Sequence, residues 1–235
     1  LRKKDFELIA YSNSNRQDEF SYHFRPLFSK WHYIEKKKDT EVVQSIIDDG
    51  IHILMELQGH SAQNRIPIFF YKAAPIQVSW LSTGTLGVPE IDYLIGSSIM
   101  TPKNEEKNYV EKIWRLPDIT QCFTPPDFQV KINKLPALDN NFITFGCVNK
   151  LTKINDNVIK LWSKILLSVP NSKLLLKNKD FDSQAIIENT FKRFAKCKID
   201  KERLILKGES VTRKELLQTY NEIDIALDPF PFQGN

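Results

Sequence analysis

Apolar positions along the chain follow two rhythms. Short apolar runs read as strands: "FELIAYSN" (6–13), "IHILMEL" (51–57), "IQVSWL" (76–81), "IDYLIGS" (91–97), "FITFGCV" (142–148), "SKLLLKNK" (172–179), "RLILKG" (203–208) and "DIALDPF" (224–230). Between them lie segments with apolar residues three and four apart. "DTEVVQSIIDDG" (39–50) predicts a helix capped by Asp39 or Thr40, with Val42, Val43, Ile46 and Ile47 on one face and Gly50 closing it. "NDNVIKLWSKILLSV" (155–169) predicts another, burying Val158, Ile159, Trp162, Ile165, Leu166 and Val169. "SQAIIENTFKRFAKCKI" and "RKELLQTYNEI" read the same way, and "DEFSYHFRPLF" does so until Pro26 kinks or ends it.

Strand and helix patterns that alternate imply an α/β fold with parallel strands. Residues 101–140 are polar and proline-bearing and read as a connection, so two lobes are expected, 1–140 and 141–235. Two such units side by side, with a cleft between them, would suit a nucleotide-bearing ligand. The chain opens at Leu1 and stops in a Pro/Gly loop, which reads as a fragment with both lobes truncated.

Composition narrows the classes. A net charge of +4 with Lys and Glu interspersed is not the concentrated basic face of a nucleic-acid binder. The run "EKKKD" reads as a solvated turn or helix face. No apolar run approaches the roughly 20 residues of a membrane span. Cys122, Cys147 and Cys197 are widely spaced, which argues against a zinc knuckle or disulfide framework and for reduced thiols in the cytoplasm. There is no GxxxxGK[ST] or GxGxxG, and "GTLG" (84–87) reads as an ordinary turn.

Candidate chemistry sits at strand-to-helix junctions. In "FGCVNKLTKIND" (145–156), Lys150 and Lys153 precede a helix whose first turn would present free N–H groups and partial positive charge, a combination that suits a diphosphate. On charge alone, two lysines lying in solvent is the simpler reading. His60 follows a strand in the loop "QGHSAQNR" and is either a polar contact or proton carrier, or a plain loop histidine. His52, inside a strand run, reads as a packed histidine. Asp228 before Pro229 holds its loop or touches a ligand. Phe230 and Phe232 wall a pocket or pack in the core.

Taken in order, "DDGIHILMELQGHSAQNRIPIFFYKAAPIQVSWL", "GVPEIDYLIGS", "FGCVNKLTKIND", "VPNSKLLLKNKDF", "ERLILKG" and "YNEIDIALDPFPFQGN" resemble the O-linked N-acetylglucosamine transferase family, including its bacterial members and the plant SPINDLY proteins. The resemblance spans most of residues 40–235. It implies two Rossmann-like lobes of a GT-B fold and inverting, metal-independent glycosyl transfer without a cofactor. The donor would be a nucleotide sugar, UDP-N-acetylglucosamine, and the acceptor a protein Ser or Thr hydroxyl. In the family, the lysine matching Lys153 contacts the donor diphosphate. The resemblance further implies that Asn149, Lys150, Lys177, Arg213, Asp228, Gly234 and Asn235 help hold the donor, with His60 near the acceptor or sugar. Helical repeats upstream would recruit the protein acceptor.

The sequence also departs from the family. Leu216 stands where members carry a His that contacts the nucleotide. "WLSTGTLG" is one residue shorter than the family's "WLGYPGTSG"-type loop, and the Thr-rich turn expected after Gly234 lies beyond Asn235. Two rival expectations follow: a nucleotide-sugar-binding or scaffold module with impaired catalysis, and another two-lobed sugar-nucleotide enzyme such as an epimerase.

Overall fold

The structure is a computed structural model that describes residues 5–81, 84–210 and 212–234. The chain divides into two compact α/β units, Leu1–Thr124 and Pro125–Asn235.

In the first unit, β1 (Ile9–Ser12), α1 (Glu19–Phe24), β2 (Lys30–Tyr33), α2 (Asp39–Asp48), β3 (Ile53–Glu56), β4 (Ile76–Ser79), β5 (Tyr93–Ser97) and β6 (Lys112–Leu116) follow in chain order. β1 pairs with β2, and β3-β4-β5-β6 form a second sheet; every pairing is parallel. Pro26 lies in a 3-10 turn, Arg25–Leu27, where α1 ends. Val42, Val43 and Ile46 of α2 pack with Leu54, Ile66, Phe69 and Ile91 in one core. α2 begins after Lys38 rather than being capped by Asp39 or Thr40, and Gly50 takes the left-handed φ of +63° that closes it.

Several expectations fail here for local reasons. Ile47 is exposed, because the buried stripe of α2 is only three residues wide. β3 alternates: Leu54 and Glu56 face in while Ile53 and Met55 face out, as suits a strand at a sheet edge. His52 precedes that strand and is exposed. The stretch read as a connection contributes β6, in register with β5 from Tyr93↔Lys112 to Ser97↔Leu116. Charged Lys112 and Arg115 on an edge strand mask its apolar alternation.

In the second unit, α3 (Ala137–Asn140), β7 (Thr144–Val148), α4 (Asp156–Ser168), β8 (Lys173–Lys177), α5 (Gln184–Ala195), β9 (Leu204–Lys207), α6 (Arg213–Gln218) and β10 (Ile225–Ala226) follow in order. Val158, Ile159, Trp162 and Leu166 of α4 pack on Phe145, Leu174, Leu176 and Phe194. The division between units, before Pro125, falls inside the stretch 101–140 read as a connection. Residues 131–137 bond into the second unit: the Asn221 amide donates to the Lys131 carbonyl (2.8 Å), and Asp224 accepts from the Ala137 N–H (2.9 Å).

The parallel sheet runs β10-β7-β8-β9. Successive crossovers carry the chain from β7 to β9, and it then returns to the other side of β7. The strand order therefore reverses between β7 and β10, and the loops leaving these two strands sit at a topological switch point.

Candidate functional site

The loop after β7 supplies Asn149, Lys150 and Lys153; the loop after β10 supplies Asp228 and Gly234. The structure joins them. Asp228 Oδ1 accepts from the Gly234 N–H (2.9 Å) and from Asn149 Nδ2 (3.4 Å). Lys153 Nζ donates to the Gln233 carbonyl (2.7 Å) and lies 4.7 Å from the centroid of the Phe232 ring. Asn155 Nδ2 donates to the Phe230 carbonyl (2.9 Å). Asp228 thus holds its own loop. Phe230 and Phe232 are exposed rather than core residues, and Phe232 backs the Lys153 ammonium.

The helix mouth differs from expectation. Lys153 belongs to a 3-10 turn, Leu151–Lys153, ahead of α4. The first turn of α4 is capped: Asn155 Oδ1 accepts from the Asn157 and Val158 N–H groups at 2.9 and 3.1 Å. Asp156 pairs with Arg193 (2.8 Å), which holds its carboxyl below the usual range. Positive potential at this junction therefore comes from lysine side chains rather than from free helix N–H groups.

Beside the switch point, a cavity of about 470 Å³ opens at the strand ends of the same sheet. Asn149 and Lys150 line it together with Lys177 at the end of β8 and Arg213 at the start of α6. Its volume falls in the usual range for small-ligand sites. The lining also includes Asn178, Lys179, Gly208, Glu209, Ser210 and Thr212, which the sequence reading missed. Asn178 Nδ2 donates to the Asn149 carbonyl (3.0 Å), coupling the loops after β7 and β8. Its signal was its position directly after a strand. Leu216 lines the cavity as well.

The expected donor residues therefore form two adjoining groups. Asn149, Lys150, Lys177 and Arg213 face the cavity. Lys153, Asp228 and Gly234 build the switch-point loops, and Asn149 is common to both groups. Asn235 lies outside the described residues. Cys147, on β7, is buried, and burial, reinforced by the Asp228 charge, pushes its thiol up to about 12. It stays protonated and is not a nucleophile.

His60 belongs to the first unit. It is exposed, and its Nε2 lies 3.0 Å from the Thr85 carbonyl oxygen. The preceding turn is gripped by buried Glu56, whose carboxylate accepts from the Gln58 N–H (2.7 Å) and the Gly59 N–H (2.9 Å). Gly59 has φ +60°, a left-handed value that this turn requires. The "GTLG" turn is likewise held by buried Glu111.

A cavity lined by Lys150, Lys177, Lys179 and Arg213 at the strand ends, beside lysine-bearing loops at a strand-order reversal, has the charge and position that suit an anionic ligand. Comparison with known proteins makes the class specific. Residues 2–124 match the model of glycosyl transferase family 41. The chain is 33% identical over 234 residues to the "Probable UDP-N-acetylglucosamine--peptide N-acetylglucosaminyltransferase SPINDLY" of Arabidopsis thaliana, a match covering 97% of this chain and 26% of that protein. It is 30% identical over 188 residues to the Arabidopsis thaliana protein of the same description named SEC, covering 74% of this chain and 19% of that one. Among solved structures, a mutant O-GlcNAc transferase of Thermobaculum terrenum superposes with a TM-score of 0.85 at 32% identity, over 97% of this chain and 43% of that chain. The chain belongs to glycosyl transferase family 41, and its fold class is GT-B. It spans about a quarter of the length of the SPINDLY relatives it matches. Among the described residues, no helix is long and apolar enough to cross a membrane.

Proposed function

We propose that the protein of which this chain forms part transfers a sugar, N-acetylglucosamine, from a nucleotide donor such as UDP-N-acetylglucosamine to Ser or Thr hydroxyls of proteins. The transfer inverts the anomeric centre and uses side-chain cations rather than a metal. The observation that carries this reading is the convergence of Asn149, Lys150 and Lys153 with the 228–234 loop at the β7/β10 switch point, beside a cavity lined by Lys177 and Arg213.

In this reading the acceptor oxygen attacks the anomeric carbon from the face opposite the diphosphate. The sugar–phosphate bond breaks, and its electron pair leaves with the diphosphate. Lys153 has three ammonium hydrogens, and the Gln233 carbonyl takes one. The other two can meet phosphate oxygens, most strongly as charge builds in the transition state. Lys150, Lys177 and Arg213 hold the donor. His60 accepts the hydroxyl proton. The names of the relatives support the donor and the peptide acceptor, and free thiols at Cys122, Cys147 and Cys197 fit a cytoplasmic setting. In the full-length protein, helical repeats would recruit the acceptor.

The test is transfer of labelled sugar from UDP-N-acetylglucosamine to Ser/Thr peptides by the full-length protein and its Lys153→Ala variant. The variant is expected to lose about 10²–10³-fold in rate. Equal transfer by the two proteins would end the assignment.

One observation favours a second reading, a binding module with impaired catalysis: apolar Leu216 lines the cavity where the family resemblance puts a histidine. Calorimetric titration with uridine and guanosine diphosphates that shows binding without turnover would select it.

A further inference from the structure

His60 Nε2 lies 3.0 Å from a carbonyl oxygen, which can only accept. The nitrogen must therefore carry the hydrogen, and a neutral His60 is the Nε2–H tautomer with its lone pair on Nδ1. The carbonyl that sets this belongs to Thr85, in the turn between β4 and β5. Glu111, 3% exposed, grips that turn through both oxygens: Oε2 accepts from Thr85 Oγ1 (2.6 Å) and Oε1 from the Leu86 N–H (2.7 Å). The same hydroxyl oxygen accepts weakly from the Val110 N–H at 3.3 Å, next to Glu111 in the chain. A carboxylate this deeply buried is expensive unless its acceptor sites are filled. Here they are filled by one short turn, and that turn's outward carbonyl meets His60. Glu56 grips the other partner, the turn bearing His60 itself. Two buried glutamates thus hold the two turns that meet at the His60–Thr85 contact.

We propose that Glu111 is a positioning residue: acting through Thr85, it fixes the His60 ring in the Nε2–H tautomer and leaves Nδ1 as the proton-accepting nitrogen. This rests on the proposed role of His60 at the acceptor hydroxyl. As the hydroxyl oxygen bonds to the anomeric carbon, its proton moves to Nδ1. The sugar–phosphate electron pair leaves with the diphosphate. The imidazolium keeps its Nε2–H on the Thr85 carbonyl, and that bond strengthens when the ring is charged. An equal mixture of tautomers would halve the productive fraction and leave the ring free to turn.

The experiment reads the imidazole ¹⁵N shifts of His60 in the intact chain at alkaline pH. Pyrrole-type Nε2 and pyridine-type Nδ1 are expected. Thr85→Val keeps the shape of the side chain but removes the hydroxyl, and it should move the shifts toward a tautomer mixture, as should Glu111→Ala. Glu111→Gln can still accept from Leu86 and donate to Thr85, and it should restore the native pattern. In the full-length protein, Thr85→Val is expected to lower kcat at least about twofold at unchanged donor KM, with Glu111→Gln close to normal. A wild-type Nδ1–H tautomer, or shifts unmoved by both Thr85→Val and Glu111→Ala, would overturn the positioning role. A His60→Ala variant with full transfer would instead overturn the catalytic reading of His60 and leave the tautomer result standing.

Discussion

Lys153 and Gln233, 80 positions apart in the chain, meet through a 2.7 Å hydrogen bond from the ammonium to the backbone carbonyl. The cation proposed to receive the departing diphosphate is therefore also the tie between the loops after β7 and β10. Removing it should have two separable effects. Lys153→Ala is expected to abolish most transfer and also to speed amide hydrogen exchange across 228–234 by roughly five- to tenfold, the equivalent of about one hydrogen bond. Lys153→Arg keeps a cation and a donor and should retain the protection. Exchange measured by mass spectrometry on the three proteins checks this; identical exchange in the Ala variant would show that the tie carries no energy.

Leu216 gives a prediction of opposite sign. It is half-buried at the cavity edge, near Lys177 and Arg213. Leu216→His introduces a donor and acceptor where a nucleotide would lie. Uridine diphosphate binding, measured by calorimetry, should tighten about five- to tenfold, the yield of one added hydrogen bond. Weaker or unchanged binding would remove the nucleotide from that edge of the cavity.

The sequence exposed the parallel α/β organisation because strands such as β5 and β8 carry continuous apolar runs, as in "KLLLK", and α4 keeps its stripe from Val158 to Leu166. β6 was hidden because Lys112 and Arg115 interrupt "KIWRL", and β2 because "KWHY" has too few aliphatic residues for a clear period. The residues after β7 were legible since strand ends locate ligand sites in such sheets. The Lys153–Gln233 tie, the Asp228 clamp and the grip of Glu111 on Thr85 were not, because each joins positions far apart in sequence. Local periodicity records which face of an element is buried; it does not record which loop another element brings alongside.

Gly146 tests how tightly β10 and its loop are seated. A Cβ built there would stand 2.3 Å from Ile223 Cδ1 and 2.4 Å from its Cγ1, and Ile223 is buried. The Gly146 carbonyl also accepts from the Leu227 N–H at 2.7 Å. Gly146→Ala must displace Ile223 or push β10 from β7, and a loss of about 1–3 kcal/mol in urea unfolding is expected. Ile223→Ala alone should also destabilise, by leaving a cavity. Combined, the two should cost clearly less than their sum, since the truncation makes room for the added methyl group. Strict additivity would mean that the close approach is not what demands glycine.

Asp49 contributes to the pH response of the first unit, beside Asp18 and Asp92, whose carboxyls are also held below the ordinary range. Its Oδ1 meets Lys30 Nζ (2.8 Å), and its Oδ2 accepts from the Tyr11 hydroxyl (2.6 Å) and lies 2.8 Å from His32 Nε2. The Lys30 hydrogen bond first, then that of Tyr11, lower the Asp49 carboxyl from its ordinary 3.8 to about 2. A carboxyl depressed by folding stabilises the folded chain above its unfolded value. That contribution, on the order of 1–2 kcal/mol, is lost as pH falls from 3.8 toward about 2. Tyr11 behaves oppositely: burial and then Asp49 raise its hydroxyl above the ordinary 10.0, so its contribution is present below that pH and is lost as pH rises beyond it. Urea unfolding of the wild type should therefore show an acid arm and an alkaline arm from one cluster. Asp49→Asn should shrink the acid arm, leaving the part that Asp18 and Asp92 contribute, and weaken the alkaline one, because part of the Tyr11 shift comes from the carboxylate. An acid arm unchanged in that variant would place the titrating group elsewhere.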